Sequence, residues 1–172
     1  MLPVQLEKVL LRVQNSANYM PNWHDNFKHF DSVPMAAASI GQVHNAQLSK
    51  PPYLPVAIKV QYPGVATSID SDLNNLRTLV IVSNLLPKGL YLDNTIKVAR
   101  RELAWETDYV REANCMEKFA KFLKDDENFV VPKVIKEFST KMVLTSEKMM
   151  GEPLTNAVYY SQELRDKVSK YI

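Results

Sequence analysis

Cysteine is nearly missing: Cys115 is the single one in 172 residues. One thiol excludes an internal disulfide framework and any zinc site built from several cysteines, and it suits a reducing compartment such as cytosol or mitochondrial matrix. Long apolar runs are missing too. The greasiest stretch, Leu79 to Leu86, already holds Ser83 and Asn84 and falls far short of the roughly 20 residues that a bilayer span requires, so no transmembrane segment is expected. Neither sign of charge dominates, with 21 Lys plus Arg against 19 Asp plus Glu, which leaves no electrostatic footprint for nucleic acid or a strongly acidic partner. Met1 to Arg12 alternates charge with leucine and includes Glu7, unlike a signal peptide or an Arg-rich, acid-poor transit peptide. A targeting segment, if one exists, is expected to be absent from this chain. His24, His29 and His44 lack metal-ligand spacing, and no Ser/His/Asp arrangement can be assigned.

What is present fits one domain, since the length sits near the usual size of about 100 to 150 residues. Leu6, Val9, Leu10 and Val13 predict an amphipathic helix ended by Pro21, which must bury its stripe against another element. A polar, aromatic connector follows. Met35 to Gln47 and Val56 to Gln61, separated by Pro51, Pro52 and Pro55, read as a β-hairpin. Val65 to Leu86 is helical through Ile69, Leu73, Leu76, Val80 and Leu85, and is closed by Pro87 and Gly89. A second helix, capped by Asp93 or Asn94, is expected to run unbroken for about 30 residues, because no proline intervenes before Pro132. Val130 to Glu137 and Lys141 to Met149 read as a second hairpin, and Ser161 begins a last helix. The expected class is α+β, with an antiparallel sheet packed on one side by helices.

The chemistry centres on Val56-Ala57-Ile58-Lys59-Val60-Gln61. Strand alternation puts Val56, Ile58 and Val60 on one face and Ala57, Lys59 and Gln61 on the other. A lysine in mid-strand is either solvated at a sheet edge or the phosphate-holding lysine of a kinase Val-Ala-Ile-Lys strand, where the small residue admits adenine. The second reading demands a carboxylate on a helix. Glu102, Glu106, Asp108 and Glu112 qualify, and Glu106 and Glu112 each interrupt an apolar stripe, where a carboxylate is costly unless paired. Where kinases use a glycine-rich loop over the phosphates, this chain has Ala36-Ala37-Ala38-Ser39-Ile40-Gly41-Gln42-Val43-His44.

Three segments together resemble the UbiB family of atypical kinases. They are Ala36 to His44, Val56 to Val65 with Lys59, and Glu106-Thr107-Asp108-Tyr109 followed by Arg111-Glu112-Ala113. The likeness extends over most of Met1 to Leu154 and is closest to the eukaryotic mitochondrial branch of coenzyme Q biosynthesis. The resemblance implies a protein-kinase-like small lobe, truncated after the hinge. Residues 1–34 would be an N-terminal helical extension, 35–160 the lobe with an inserted helix at 65–86, and 161–172 the start of the large lobe. It further implies that Ala36, Ala37, Ala38 and Ser39 cover the nucleotide beside Ala57, and that Lys59 holds its phosphates. Glu112 would pair with Lys59, with Glu106 left open as the alternative, while Glu106 and Asp108 face the N-terminal extension. Ser146 would be the gatekeeper, and backbone groups of Glu147 and Met149 would meet adenine.

The implied cofactors are ATP and magnesium, and the implied setting is the matrix side of the mitochondrial inner membrane, among coenzyme Q biosynthesis proteins and at the membrane surface. Departures from the family are equally specific. Its Lys-x-Gly-Gln motif is absent, no catalytic-loop Asp and Asn or metal-binding Asp follows the hinge, and the junction Tyr19 to Trp23 skips a helical stretch. The expectation is thus an ATP-binding atypical kinase or ATPase domain that is catalytically incomplete as it stands. A non-catalytic, pseudokinase-like binding module is the competing expectation, and an ordinary protein kinase is a third.

Overall fold

The computed structural model describes residues 23–83 and 91–171. The expected helix through Leu6, Val9, Leu10 and Val13 lies outside the described residues, as do Leu85, Pro87 and Gly89. Strands β1 (Phe27–Phe30), β2 (Ala36–Ala38), β3 (Gly41–Leu48), β4 (Pro55–Gln61) and β5 (Val143–Glu147) make one antiparallel sheet. Its order is β1-β3-β4-β5, and β2 pairs with the first residues of β3. The helices are α1 (Val65–Ser83), α2 (Leu92–Glu106), α3 (Tyr109–Phe122) and α4 (Gln162–Ser169). Among the described residues no helix is long and apolar enough to cross a membrane.

The alternation read in β4 is realised. Val56, Ile58 and Val60 are buried with Ala46 and Val143, and Phe27, Phe30, Leu48, Leu54 and Ile135 pack around them. Each such side chain removed from water contributes about 1.5–3 kcal/mol, so this face anchors the lobe. A second cluster, Ile40, Tyr109, Val134 and Leu144 with Ala113 and Met116 against it, clamps α3 to the sheet. Leu144 is the cross-strand neighbour of Lys59, which brings α3 onto the lysine's face. The third cluster, Ile69, Leu73 and Ile96, joins α1 to α2. Arg77–Asp93 at 2.9 Å and Arg100–Asp70 at 2.7 Å tie the same two helices at their surface, where such pairs add little.

Four expectations need correction. The connector before Met35 contains β1, whose Phe27 and Phe30 lie opposite Leu48 and Ala46. Phe-Lys-His-Phe has no β-branched residue to announce a strand, and its two phenylalanines are recruited by the core. The single helix of about 30 residues is broken at Thr107–Asp108. There the Asp108 side chain accepts the Arg111 N–H at 2.9 Å as an N-cap, and Gln61 Nε2 donates to the Thr107 carbonyl at 3.0 Å, so the freed backbone groups have partners. Neither Asp93 nor Asn94 caps α2, which starts at Leu92 after Tyr91 and has no side-chain cap.

The second hairpin has one true strand. Val134 makes an isolated bridge to Ser146, and Lys136–Phe138 coils into a 3-10 turn. Pro132 has no N–H for a ladder. Ser139 takes the strand's place, accepting from the Thr145 N–H at 3.0 Å. The last helix does form, with Ser161 accepting from the Leu164 N–H.

Candidate functional site

β4 threads through the middle of the sheet, and this fixes where its polar residues emerge. Lys59, on the face opposite the Val56, Ile58 and Val60 core, points at α3. Its Nζ donates to both carboxylate oxygens of Glu112, at 2.9 and 2.8 Å. Both side chains are half-buried, at 24% and 35% exposure, so the pair is screened less than a surface bridge and removal of one partner strands the other. Glu112 belongs to the first turn of α3, where the positive end of the helix dipole favours a carboxylate. The Asp108 cap starts that turn and so aims Glu112.

The ammonium of Lys59 also lies 4.8 Å from the centre of the Tyr109 ring. Tyr109 is the first residue of α3 and is 1% exposed. Burial, with the charges of Glu112 and Glu106 nearby, pushes its phenol pKa far above the usual tyrosine value, and the hydroxyl has no hydrogen-bond partner among the described residues.

The alanine-rich segment folds as a tight hairpin. Ala36, Ala37 and Ala38 pair with Val43, Gln42 and Gly41, and Ser39 and Ile40 make the turn. Ala36 and Ala37 are exposed, Ala38 is half-buried, and Ile40 is drawn into the α3 cluster. Gly41 is sterically required, since a Cβ there would lie 2.3 Å from the Val60 carbonyl oxygen and 3.1 Å from the Tyr109 hydroxyl. The Ser39 hydroxyl donates to Glu106 at the end of α2, tying the hairpin tip to the helix.

At the far end of β4, Ala57 faces Ser146 across β5. The Glu147 N–H donates to the Lys133 carbonyl at 2.9 Å, and its carboxylate accepts from the Lys133 N–H at 3.3 Å. Met149 is 48% exposed beyond the strand.

The structure therefore brings Lys59, Glu112 and the alanine hairpin to one region and gives Lys59 a single carboxylate partner among the described residues. Glu106 goes to Ser39 instead, and Asp108 serves as a cap. Tyr109, Gly41 and Gln61 were not singled out from sequence for this site. Tyr109 stood within the Glu106 to Tyr109 segment of the family resemblance, which was the available signal. His44 is 0% exposed, stacks on Phe30 at 5.3 Å and shares a 2.9 Å hydrogen bond with the Asp31 carbonyl. Burial lowers its pKa and keeps it neutral. A groove of about 1010 Å³ opens beside the helix break, lined by Gln61, Gly64, Thr107 and Lys141 among others, and includes neither Lys59 nor Glu112.

A mid-strand lysine gripped by a glutamate from a helix laid across an antiparallel sheet defines the small lobe of a protein-kinase-like fold. The chain belongs to the ABC1 atypical kinase-like domain family, whose model matches residues 4–172. It is 49% identical to the mitochondrial atypical kinase COQ8 of Saccharomyces cerevisiae, over 99% of this chain and 36% of that protein. The mitochondrial atypical kinase COQ8B of Danio rerio is 43% identical, over 95% of this chain and 28% of the relative. The solved structure of Rv3197 with erythromycin, from Mycobacterium tuberculosis, is similar with a TM-score of 0.72 and 32% identity, covering 95% of this chain and 40% of that one. The chain spans about a third of the length of these relatives. It is a mitochondrial protein by this kinship, as its COQ8 relatives are.

Proposed function

We propose that this chain is the nucleotide-binding small lobe of an ATP-using atypical kinase or ATPase that supports coenzyme Q biosynthesis on the matrix side of the inner membrane, at the membrane surface and in contact with other proteins of that pathway. The observation that carries the reading is the Lys59–Glu112 pair beside Ala57. Lys59 would place its charge on phosphate oxygens, with Glu112 fixing its direction. The Ala36 to Ser39 hairpin would cover the phosphates, and Ala57 would leave room for adenine next to the Glu147 and Met149 backbone. Residues 1–34 would be the extension that Glu106 and Asp108 face, 35–160 the lobe and 161–172 the start of the large lobe.

Among the described residues no group of three or more His, Cys, Asp or Glu is placed to hold a metal ion. By the family resemblance, the residues that would hold magnesium and so neutralise phosphate charge lie beyond the hinge. Phosphoryl transfer depends on such charge neutralisation, so the lobe by itself would bind nucleotide weakly without turning it over. A second reading, a binding module without turnover, draws on the large apolar side chains at the surface, Phe122 at 79%, Met150 at 83% and Tyr159 at 87% exposure.

Calorimetric titration with magnesium ATP, run beside a phosphate-release assay, tests both readings. Lys59→Ala should weaken binding by roughly 1.5–3 kcal/mol, about tenfold or more, through loss of a charge-assisted contact. Unchanged affinity would remove nucleotide binding by this lysine and leave the binding module. Turnover matching that of a full-length relative would contradict catalytic incompleteness.

A further inference from the structure

Lys59 touches two groups, and its ion-pair partner is the more obvious of them. An ammonium has three donors, and two are taken by the oxygens of Glu112. The direction of the third decides whether the lysine can serve a ligand. The Tyr109 ring, 4.8 Å from Nζ, offers the ammonium its electron-rich face. That ring cannot swing away, because it is 1% exposed and packed among Ile40, Val134 and Leu144. Its hydroxyl end abuts Gly41, at the root of the alanine hairpin. One rigid side chain thus touches both the lysine and the base of the hairpin above it.

The hydroxyl does not explain the tyrosine's place, since it has no partner among the described residues and a buried donor left unpaired is destabilising. The ring does. We propose that Tyr109 is a positioning residue: the face of its ring, together with the Glu112 carboxylate three residues along α3, fixes the Lys59 ammonium so that its remaining donor is presented to a nucleotide phosphate. This deepens the nucleotide-binding reading and rests on it. A purely structural role would be filling the cluster of Ile40, Val134 and Leu144, which any side chain of the same shape would serve.

The test varies the ring's electrostatics at constant shape. Position 109 is made Phe or pentafluorophenylalanine in the whole chain; the fluorines reverse the charge of the ring face while the volume stays close. Two quantities are read: the NMR shift of the Lys59 ε-methylene without nucleotide, assigned by its loss in Lys59→Ala, and the affinity for magnesium ATP. Tyr109→Phe should preserve both. Pentafluorophenylalanine should move the Lys59 signal and weaken magnesium ATP several-fold, and the weakening should vanish in a Lys59→Ala background. Equal signals and affinities for the two rings, or the same loss without Lys59, would overturn the proposal. If Lys59→Ala alone leaves magnesium ATP affinity unchanged, the nucleotide reading is what has failed, and the NMR signal still decides the ring contact.

Discussion

Glu106 and Glu112 stand on either side of the break at Thr107–Asp108, and that break sends them to different partners. Glu112 opens α3, where a helix welcomes negative charge, and reaches Lys59. Glu106 closes α2, where the helix end repels it, and is held by the Ser39 hydroxyl at the hairpin tip. On an unbroken helix, at about 100° per residue, the two would point about 120° apart. The break lets both carboxylates serve neighbouring points on one hairpin and its adjoining strand. The lesson is that position relative to a helix end, more than residue type, separates the glutamate that pairs the lysine from the one that latches the tip.

The comparison can be broken or sharpened at graded cost. Gly41→Ala attacks the floor common to both sides, because its Cβ would strike the Val60 carbonyl oxygen at 2.3 Å. It should cost about 2–3 kcal/mol in urea unfolding; stability equal to the native chain would mean the hairpin root is not packed as described. Asp108→Ala removes the cap that starts α3, and a loss of about 1 kcal/mol is expected by the same measurement. Tyr109→Phe should move in the opposite direction, gaining about 1 kcal/mol by deleting a buried hydroxyl that has no partner among the described residues. Glu106→Gln should be the mildest, within about 0.5 kcal/mol, because an exposed contact is lost while a repulsive helix end is relieved. A larger loss there than for Glu112→Gln would invert the comparison.

Much of this arrangement was legible in the residues. The period of two in Val56 to Gln61 gave β4 and the face on which Lys59 emerges, and the 3.6-residue period of Val65 onward gave α1. The family resemblance, carried by Ala36 to His44, Lys59 and the Glu106 to Ala113 segment, holds in the family match. The helix break was not legible, because apolar periodicity runs through Thr107–Asp108 without proline or glycine. What ends α2 there is tertiary: Gln61, from a different element, takes the Thr107 carbonyl. β1 was hidden for a similar reason, since Phe27 and Phe30 become a strand only when the end of β3 is there to pair with them. The single-stranded outcome of the second hairpin turned on Pro132 and Ser139, whose side-chain hydrogen bond to β5 no spacing rule announces.

The most direct test of the account is a crystal structure of this chain with an adenine nucleotide. The account places the phosphates at Lys59 Nζ beneath the Ala36 to Ser39 hairpin and the adenine between Ala57 and the Glu147 to Met149 backbone, with the Lys59–Glu112 pair intact. A nucleotide seated instead in the groove at Thr107 and Lys141, with Lys59 untouched, would contradict it.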